Sequence, residues 1–399
     1  MDPKKSKATR ITTVLCHDGQ YYNENQGAIV PPIYQNSLFA FDTWDDIDAA
    51  FSDPSEHYIY SRVRNPTAHI AEEKIAKLCH GEKAKLYASG MGAIAAAILY
   101  IVNHGDHVIA VNNIYAPANN FISNFLKDKC GVDVTYVAGT EVSQFEEAIT
   151  SRTSLIYLEC PASITYELQD LQAVANLAKK NNIKTIIDNT WASPLYQRPL
   201  ELGIDLEVHS VSKYICGHSD VVAGVLVGKS SDLDAMLMSE HALLGAKIAP
   251  IEAWLILRSL RTLPLRMQQH QISTMKIASF LESHKSIQKV HYPGLKSSPQ
   301  YELGQRQMSG YGGLLSFELN TRDFSSIKSF VNNLQYFKLG VSWGGHESLV
   351  YAPLISYSKE LTEEQFISRN IVPGLIRISV GLEDVQDLID DLDQALTNI

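Results

Sequence analysis

An α/β fold with a largely parallel sheet, followed by a smaller α+β unit, is the class this sequence predicts, and three observations carry the prediction. Between about residues 65 and 250, short apolar runs bounded by turn residues alternate with patterns of helical period. Strand–helix–strand repetition needs crossover connections, and crossovers make neighbouring strands parallel. Towards the C-terminus that alternation gives way to a mixed α+β pattern. The length, 399 residues, exceeds one simple domain. The expected organisation is an N-terminal arm over 1–64, a central ligand-binding α/β domain over 65–257 and a C-terminal domain over 258–399.

The elements follow in chain order. The first ten residues, MDPKKSKATR, are basic with no apolar stretch after them, which marks a short mobile tail and not a secretory signal. Residues 1–60 mix aromatic and acidic positions around Pro31-Pro32 and are expected to be irregular. ASGMGAIAAAILYIV, residues 88–102, is a glycine-rich turn running into an apolar helix. HVIAV, His107–Val111, and LIYL, 155–158, are strands. A helix over 171–180 has Leu171, Val174, Ala175 and Ala178 at i, i+3, i+4 and i+7, with Asp170 as its N-cap. It stops at Asn181-Asn182, and a strand over 183–187 leads to Asp188. Pro250 opens one long helical stretch, IEAWLILRSLRTL, leading out of the domain. The C-terminal part has strands at Leu314–Leu319 and 375–380. A final helix places Val385, Leu388, Ile389, Leu392 and Leu396 on one face. There is no 20–50-residue repeat and no low-complexity tract.

Composition removes several function classes. A net charge of −10 argues against nucleic acid as a partner. No apolar run reaches the roughly 18 residues that span a bilayer, so no membrane partner is expected. The five cysteines, Cys16, Cys79, Cys130, Cys160 and Cys216, are scattered with no C-x-x-C, which fits reduced thiols and a cytoplasmic location. The histidines form no metal-binding spacing, so no metal is expected.

The chemistry concentrates in 183–213. Asp188 ends an apolar strand, and ligands of parallel sheets sit beyond those carboxyl ends. Lys213 follows Ser210 and Ser212 in a segment too apolar for a free loop, and a desolvated amine is a better nucleophile towards an aldehyde. A carboxylate to meet a pyridinium nitrogen and a lysine to form a Schiff base are the groups pyridoxal phosphate (PLP) requires. Gly90 and Met91 open a helix, where backbone N–H groups bind phosphate. Tyr115 follows the strand 107–111 and can stack on a ring. Tyr60 and Arg62 lie together in YSRVRNPT and suit an anion, and Arg377 alternates with Ile376 and Ile378, away from the apolar face, where it can clamp a carboxylate.

These segments, with LECPASITYELQDL, IDNTWASP, HSVSKYICGHSDVVAGVLVG, SWGGHESL and LIRISVGLEDVQDLIDDL, resemble the Cys/Met-metabolism PLP enzymes over roughly residues 28–396. That family comprises cystathionine γ-synthase, the cystathionine lyases and methionine γ-lyase. The resemblance implies a fold-type I, aspartate aminotransferase-like architecture. It also implies a homotetramer of two catalytic dimers, in which the arm completes a neighbour's site. It implies that Lys213 carries the cofactor and Asp188 meets its ring nitrogen. By motif, Gly90, Met91, Ser210 and Ser212 resemble phosphate ligands, and Tyr60 and Arg62 phosphate ligands reaching in from the adjacent subunit. Tyr115 resembles the stacking tyrosine, and Ser342 and Arg377 the substrate-carboxylate site. Ser163 stands where most members have asparagine, a variant shared by lyase-like P-x-S-I-T sequences.

Within the family, the synthases and cystathionine γ-lyases place an acid just before the carboxylate-site serine, and the synthases a second before the motif tyrosine, whereas β-lyases and methionine γ-lyases are apolar at both positions. Here these residues are Val341 and Ile59, and Pro117 replaces a cysteine of the methionine γ-lyases. Trp343 in SWGG, SITYELQDL and GLEDVQDLIDDL look most like bacterial cystathionine β-lyase, whereas YSRVRNPT and GHSDVVAGV look synthase-like. The resemblance therefore implies a carbon–sulfur β-lyase on an amino-acid substrate. γ-Synthase, cystathionine γ-lyase and methionine γ-lyase are the alternatives, and a PLP aminotransferase would share the lysine and aspartate.

Overall fold

Seven strands build the larger sheet: β1 (Lys83–Tyr87), β2 (His107–Val111), β3 (Asp133–Val137), β4 (Thr153–Glu159), β5 (Lys184–Asp188), β6 (Leu206–Ser210) and β7 (Gly224–Gly228). The computed structural model describes residues 10–19, 23, 25–356, 371–397 and 399, so most of the basic tail lies outside the described residues. The strand order is β1-β7-β6-β5-β4-β2-β3. Strands β6, β5, β4, β2 and β3 are mutually parallel, and β7 runs antiparallel to both β6 and β1. The apolar runs are explained by this arrangement. A parallel strand covered by helices on both faces has no wet side, and β2 is accordingly buried at all five positions.

The second sheet has the order β10-β11-β12-β9-β8, from β8 (Ile287–His291), β9 (Leu314–Leu319), β10 (Lys338–Leu339), β11 (Leu349–Tyr351) and β12 (Leu375–Ser379). All its pairs are antiparallel except β10–β11. The two sheets are tied together where the Trp191 indole N–H, just past β5, donates to the Leu314 carbonyl of β9 at 3.0 Å. The helix Leu171–Lys180 forms as its periodicity requires, with the Asp170 carboxylate accepting from the Ala173 N–H. The terminal helix Val385–Thr397 buries Leu388, Leu392 and Leu396.

Two expectations need correction. The stretch opened by Pro250 is helical over Pro250–Leu260 but ends before Leu263, where a second helix, Leu263–Ser283, begins after a break. Pro264 is the cause, because it lacks an N–H and its ring clashes with the carbonyl four residues back, so it is tolerated only in a first turn. The region 1–60 is not wholly irregular. It contains helices Ile11–His17 and Trp44–Ser52, the second capped by Thr43, whose hydroxyl accepts from Asp46 N–H, with Asp45 and Asp46 in its first turn.

Candidate active site

The carboxyl ends of β4, β5 and β6 form the floor of a cavity of about 290 Å³. Asp188 and Glu159 are register partners at the ends of adjacent parallel strands. Both are buried, and burial raises the pKa of both carboxyls. Asp188 accepts from the Thr190 N–H at 3.0 Å and its hydroxyl at 2.5 Å, and these bonds, with the Lys213 charge, offset part of its desolvation. The Thr190 hydroxyl in turn accepts from Ser210 N–H at 2.8 Å, so the acid on β5 and the serine ending β6 are held as one unit.

One wall is the N-terminus of the helix Gly90–Ile101, capped by Ser89, whose hydroxyl accepts from Gly92 N–H at 3.0 Å. Gly90 and Met91 line the cavity, and the first N–H groups of a helix lack partners inside it. The turn can lie this close only because of Gly224, which pairs with Ser210 on one side and Tyr87 on the other. A Cβ on Gly224 would stand 2.3 Å from the Ser89 carbonyl oxygen and 2.7 Å from Gly90 Cα. Neither is a flexible side chain that could move aside.

Lys213 rises from a tight turn after β6. Its N–H donates to the Ser210 carbonyl, and its own carbonyl accepts from Gly217 N–H at 2.7 Å. Buried Arg266 pins this turn by donating to the carbonyls of Tyr214 and Ile215. Ser212 faces β7, exchanging hydrogen bonds with Ala223. The Lys213 amine donates to the Ser342 hydroxyl at 2.7 Å and lies 5.5 Å from the centre of the Trp343 ring. Burial, and then the Arg377 charge, lower its pKa to about 8. Arg377, on β12, donates to the carbonyls of Val341 and Ser342 and stacks 4.8 Å from the Tyr351 ring centre. The loop carrying Ser342 and Trp343 reaches the lysine through Gly344, at φ +81°, where a Cβ would meet the Tyr214 nitrogen at 3.0 Å.

The cavity thus brings together Gly90, Met91, Tyr115, Ser163, Asp188, Ser210, Ser212, Lys213, Ser342, Trp343 and Arg377. Four expected residues lie elsewhere in the single chain. Tyr60 and Arg62 line a separate depression of about 460 Å³ with Lys247, and Arg62 donates to the Ala242 carbonyl at 2.5 Å. Val341 is 77% exposed and Ile59 half-buried, and neither lines the cavity. Sequence reasoning missed Glu159, Thr190 and Gly224. Glu159 had a readable signal, an acid ending the apolar strand LIYLE.

A desolvated amine, a buried carboxylate facing it and a glycine-permitted helix N-terminus form a set that fits an aldehyde-bearing, phosphorylated pyridine. The comparisons agree. The model of the Cys/Met metabolism PLP-dependent enzyme family matches residues 12–397. The L-methionine gamma-lyase of Porphyromonas gingivalis is 40% identical over 391 residues, covering 98% of this chain and 97% of that protein. That of Treponema denticola is 38% identical over 402 residues, covering 100% of each. The cystathionine beta-lyase of Lactococcus lactis subsp. cremoris is 38% identical over 392 residues, covering 97% and 99%. With family-wide motifs, full-length relatives and a site suited to the cofactor in agreement, the chain belongs to the Cys/Met metabolism PLP-dependent enzyme family, and its cofactor is pyridoxal phosphate.

Proposed function

We propose that this protein is a carbon–sulfur lyase that works by β-elimination on cystathionine and simpler cysteine S-conjugates, releasing a thiol, pyruvate and ammonia. The observation that carries the reading is the Lys213 amine, poised at Ser342 in one cavity with Asp188 and Arg377. Bound PLP supplies an electron sink for the pair left when Cα loses its proton. Lys213 takes that proton, its lowered pKa making it a competent base near neutral pH. Asp188 keeps the ring nitrogen charged. Gly90, Met91, Ser210 and Ser212 would hold the phosphate, and Tyr115 would pack against the ring. Arg377, already oriented by two carbonyls and Tyr351, binds the substrate carboxylate beside Ser342. The Cβ–S bond breaks, sulfur leaves with its electron pair and gains a proton, and water converts the three-carbon remainder to pyruvate and ammonia.

Ile59 and Val341 offer no carboxylate to a distal ammonium, so recognition does not depend on one, and simple cysteine S-conjugates are accepted as well as cystathionine. The fold on this account is fold-type I, aspartate aminotransferase-like. The working form is a cytoplasmic homotetramer in which Tyr60 and Arg62 reach the neighbouring copy's phosphate. Among the described residues, no helix is long and apolar enough to cross a membrane.

γ-Elimination is the second reading, favoured by the relatives named methionine gamma-lyase. It adds a proton removal at Cβ that the same lysine can perform. Thiol and keto acid should be measured in parallel on cystathionine, a cysteine S-conjugate, methionine and O-succinylhomoserine. Thiol with pyruvate from the first two is expected. Methanethiol with 2-oxobutyrate from methionine as the dominant activity would install the second reading. Keto acid without thiol would mark an aminotransferase.

A further inference from the structure

The proposed function uses one of the two carboxylates on the cavity floor and leaves Glu159 without a task. Its contacts are specific. One oxygen accepts from Tyr115 N–H at 2.6 Å, and the other is hydrogen-bonded to the Ser163 hydroxyl, the direction of that bond following the acid's protonation. A single side chain therefore fixes two cavity residues that come from different loops. Glu159 is 9% exposed and Asp188 7%, and as register partners they cannot both carry charge cheaply. Asp188 has the better claim to the charge, because Lys213 favours its ionised form, whereas the largest charge acting on Glu159 is that of Asp188 itself. Burial and the charge of Asp188 push Glu159 up to about 8. The other titratable groups around it do not compensate. Tyr157 and Cys160, its neighbours on β4, are raised by burial and stay neutral, as does Tyr115. Lys213 and Arg377 line the same cavity, and both act on the Asp188 side of the pair or on each other.

We propose that Glu159 is a positioning residue that releases its proton when a cation is received at Asp188, and so tightens its hold on the Tyr115 N–H and the Ser163 hydroxyl around the bound ring. This role rests on the proposed function, since the cation is the cofactor's ring nitrogen. The hydrogen-bond inventory gives the coupling its direction. An ionised carboxylate accepts from both donors, whereas a protonated one must donate, turning the Ser163 hydroxyl proton towards the cavity. The proton passes to solvent, and Glu159 forms no bond to the ligand.

Infrared difference spectra of apo and PLP-loaded protein at pH 7 test this, with visible absorbance recorded on the same samples. Glu159→Gln mimics the protonated acid, accepting from Tyr115 and donating to Ser163. In the wild type a protonated-carboxyl band should be lost on loading. In the variant that loss should vanish, while PLP still binds several-fold more weakly. Glu159→Asp guards against a misfolded glutamine variant: it should keep the band change and lose affinity, because its shorter arm cannot reach Tyr115 N–H. A band change that survives in Glu159→Gln, or no band change in the wild type beside intact PLP absorbance, would overturn the role of Glu159 alone. Failure of the wild type to take up PLP at all would instead strike the proposed function, and this role with it.

Discussion

The carboxyl edge of β4–β6 and the depression around Tyr60 and Arg62 both gather groups that bind rings and anions, but they are built in opposite ways. At the strand edge, buried Asp188 and Thr190 and half-buried Ser210, Lys213 and Arg377 are held by contacts within the chain: Asp188 through Thr190 to Ser210, Lys213 to Ser342, Arg377 to two carbonyls. At the depression Tyr60 is 45% exposed, and Arg62 stacks on it while donating to the Ala242 carbonyl. The arm around it exposes Ile29, Leu38, Trp44 and Phe51. Such apolar exposure along one segment marks a surface meant to be covered. One region holds its polar groups by contacts within the chain, and the other is the one the proposed function assigns to a neighbouring copy's site.

The largest effect should come from the strand edge. Lys213→Ala is expected to lower turnover by on the order of 10⁴-fold or more, the scale of a lost acid–base group, while PLP still binds without covalent attachment. Wild-type turnover in that variant would end the comparison. The depression is tested by co-assembly. Arg62→Ala and Lys213→Ala are each expected to be nearly inactive alone. Random pairing of the two restores one of two sites in half the dimers, so roughly a quarter of wild-type activity should return. No recovery after proven subunit exchange would place Arg62 outside any shared site.

Smaller changes sharpen the picture of the strand edge. Gly224→Ala forces a methyl against the Ser89–Gly90 backbone. Overpacking of this kind costs about 1–3 kcal/mol, so PLP affinity should fall about 5- to 150-fold with little change in circular dichroism. The mildest test is pH. Without cofactor, Lys213 should add to an aldehyde tenfold faster per pH unit up to about 8, then level off, because only the free amine reacts and burial with Arg377 lowers its pKa. Arg377→Leu removes the cation that lowers it, so the plateau should move to higher pH. A wild-type rise continuing to the ordinary lysine range would show a solvated amine.

The same contrast explains what was legible in the sequence. Asp188, Lys213 and the Gly90 turn announce themselves locally: an acid ending an apolar strand, a lysine among hydroxyls and apolar residues, a glycine turn opening a helix. The helix 171–180 was readable from period and cap alone. Gly224 was not, because its constraint arises only when β7 is laid antiparallel between β1 and β6. Glu159 gains meaning only from its register against Asp188, and Thr190 only from bridging Asp188 to Ser210. Local chemistry is written in the chain, and cross-strand registry is not.

The most direct test of the central claim is the keto acid formed from cystathionine by purified, PLP-loaded protein. β-Elimination yields homocysteine, pyruvate and ammonia in equal amounts, with 2-oxobutyrate a minor product, and Lys213→Ala should yield none of these. Predominant 2-oxobutyrate with cysteine would contradict β-elimination and assign the same cavity to cleavage at Cγ.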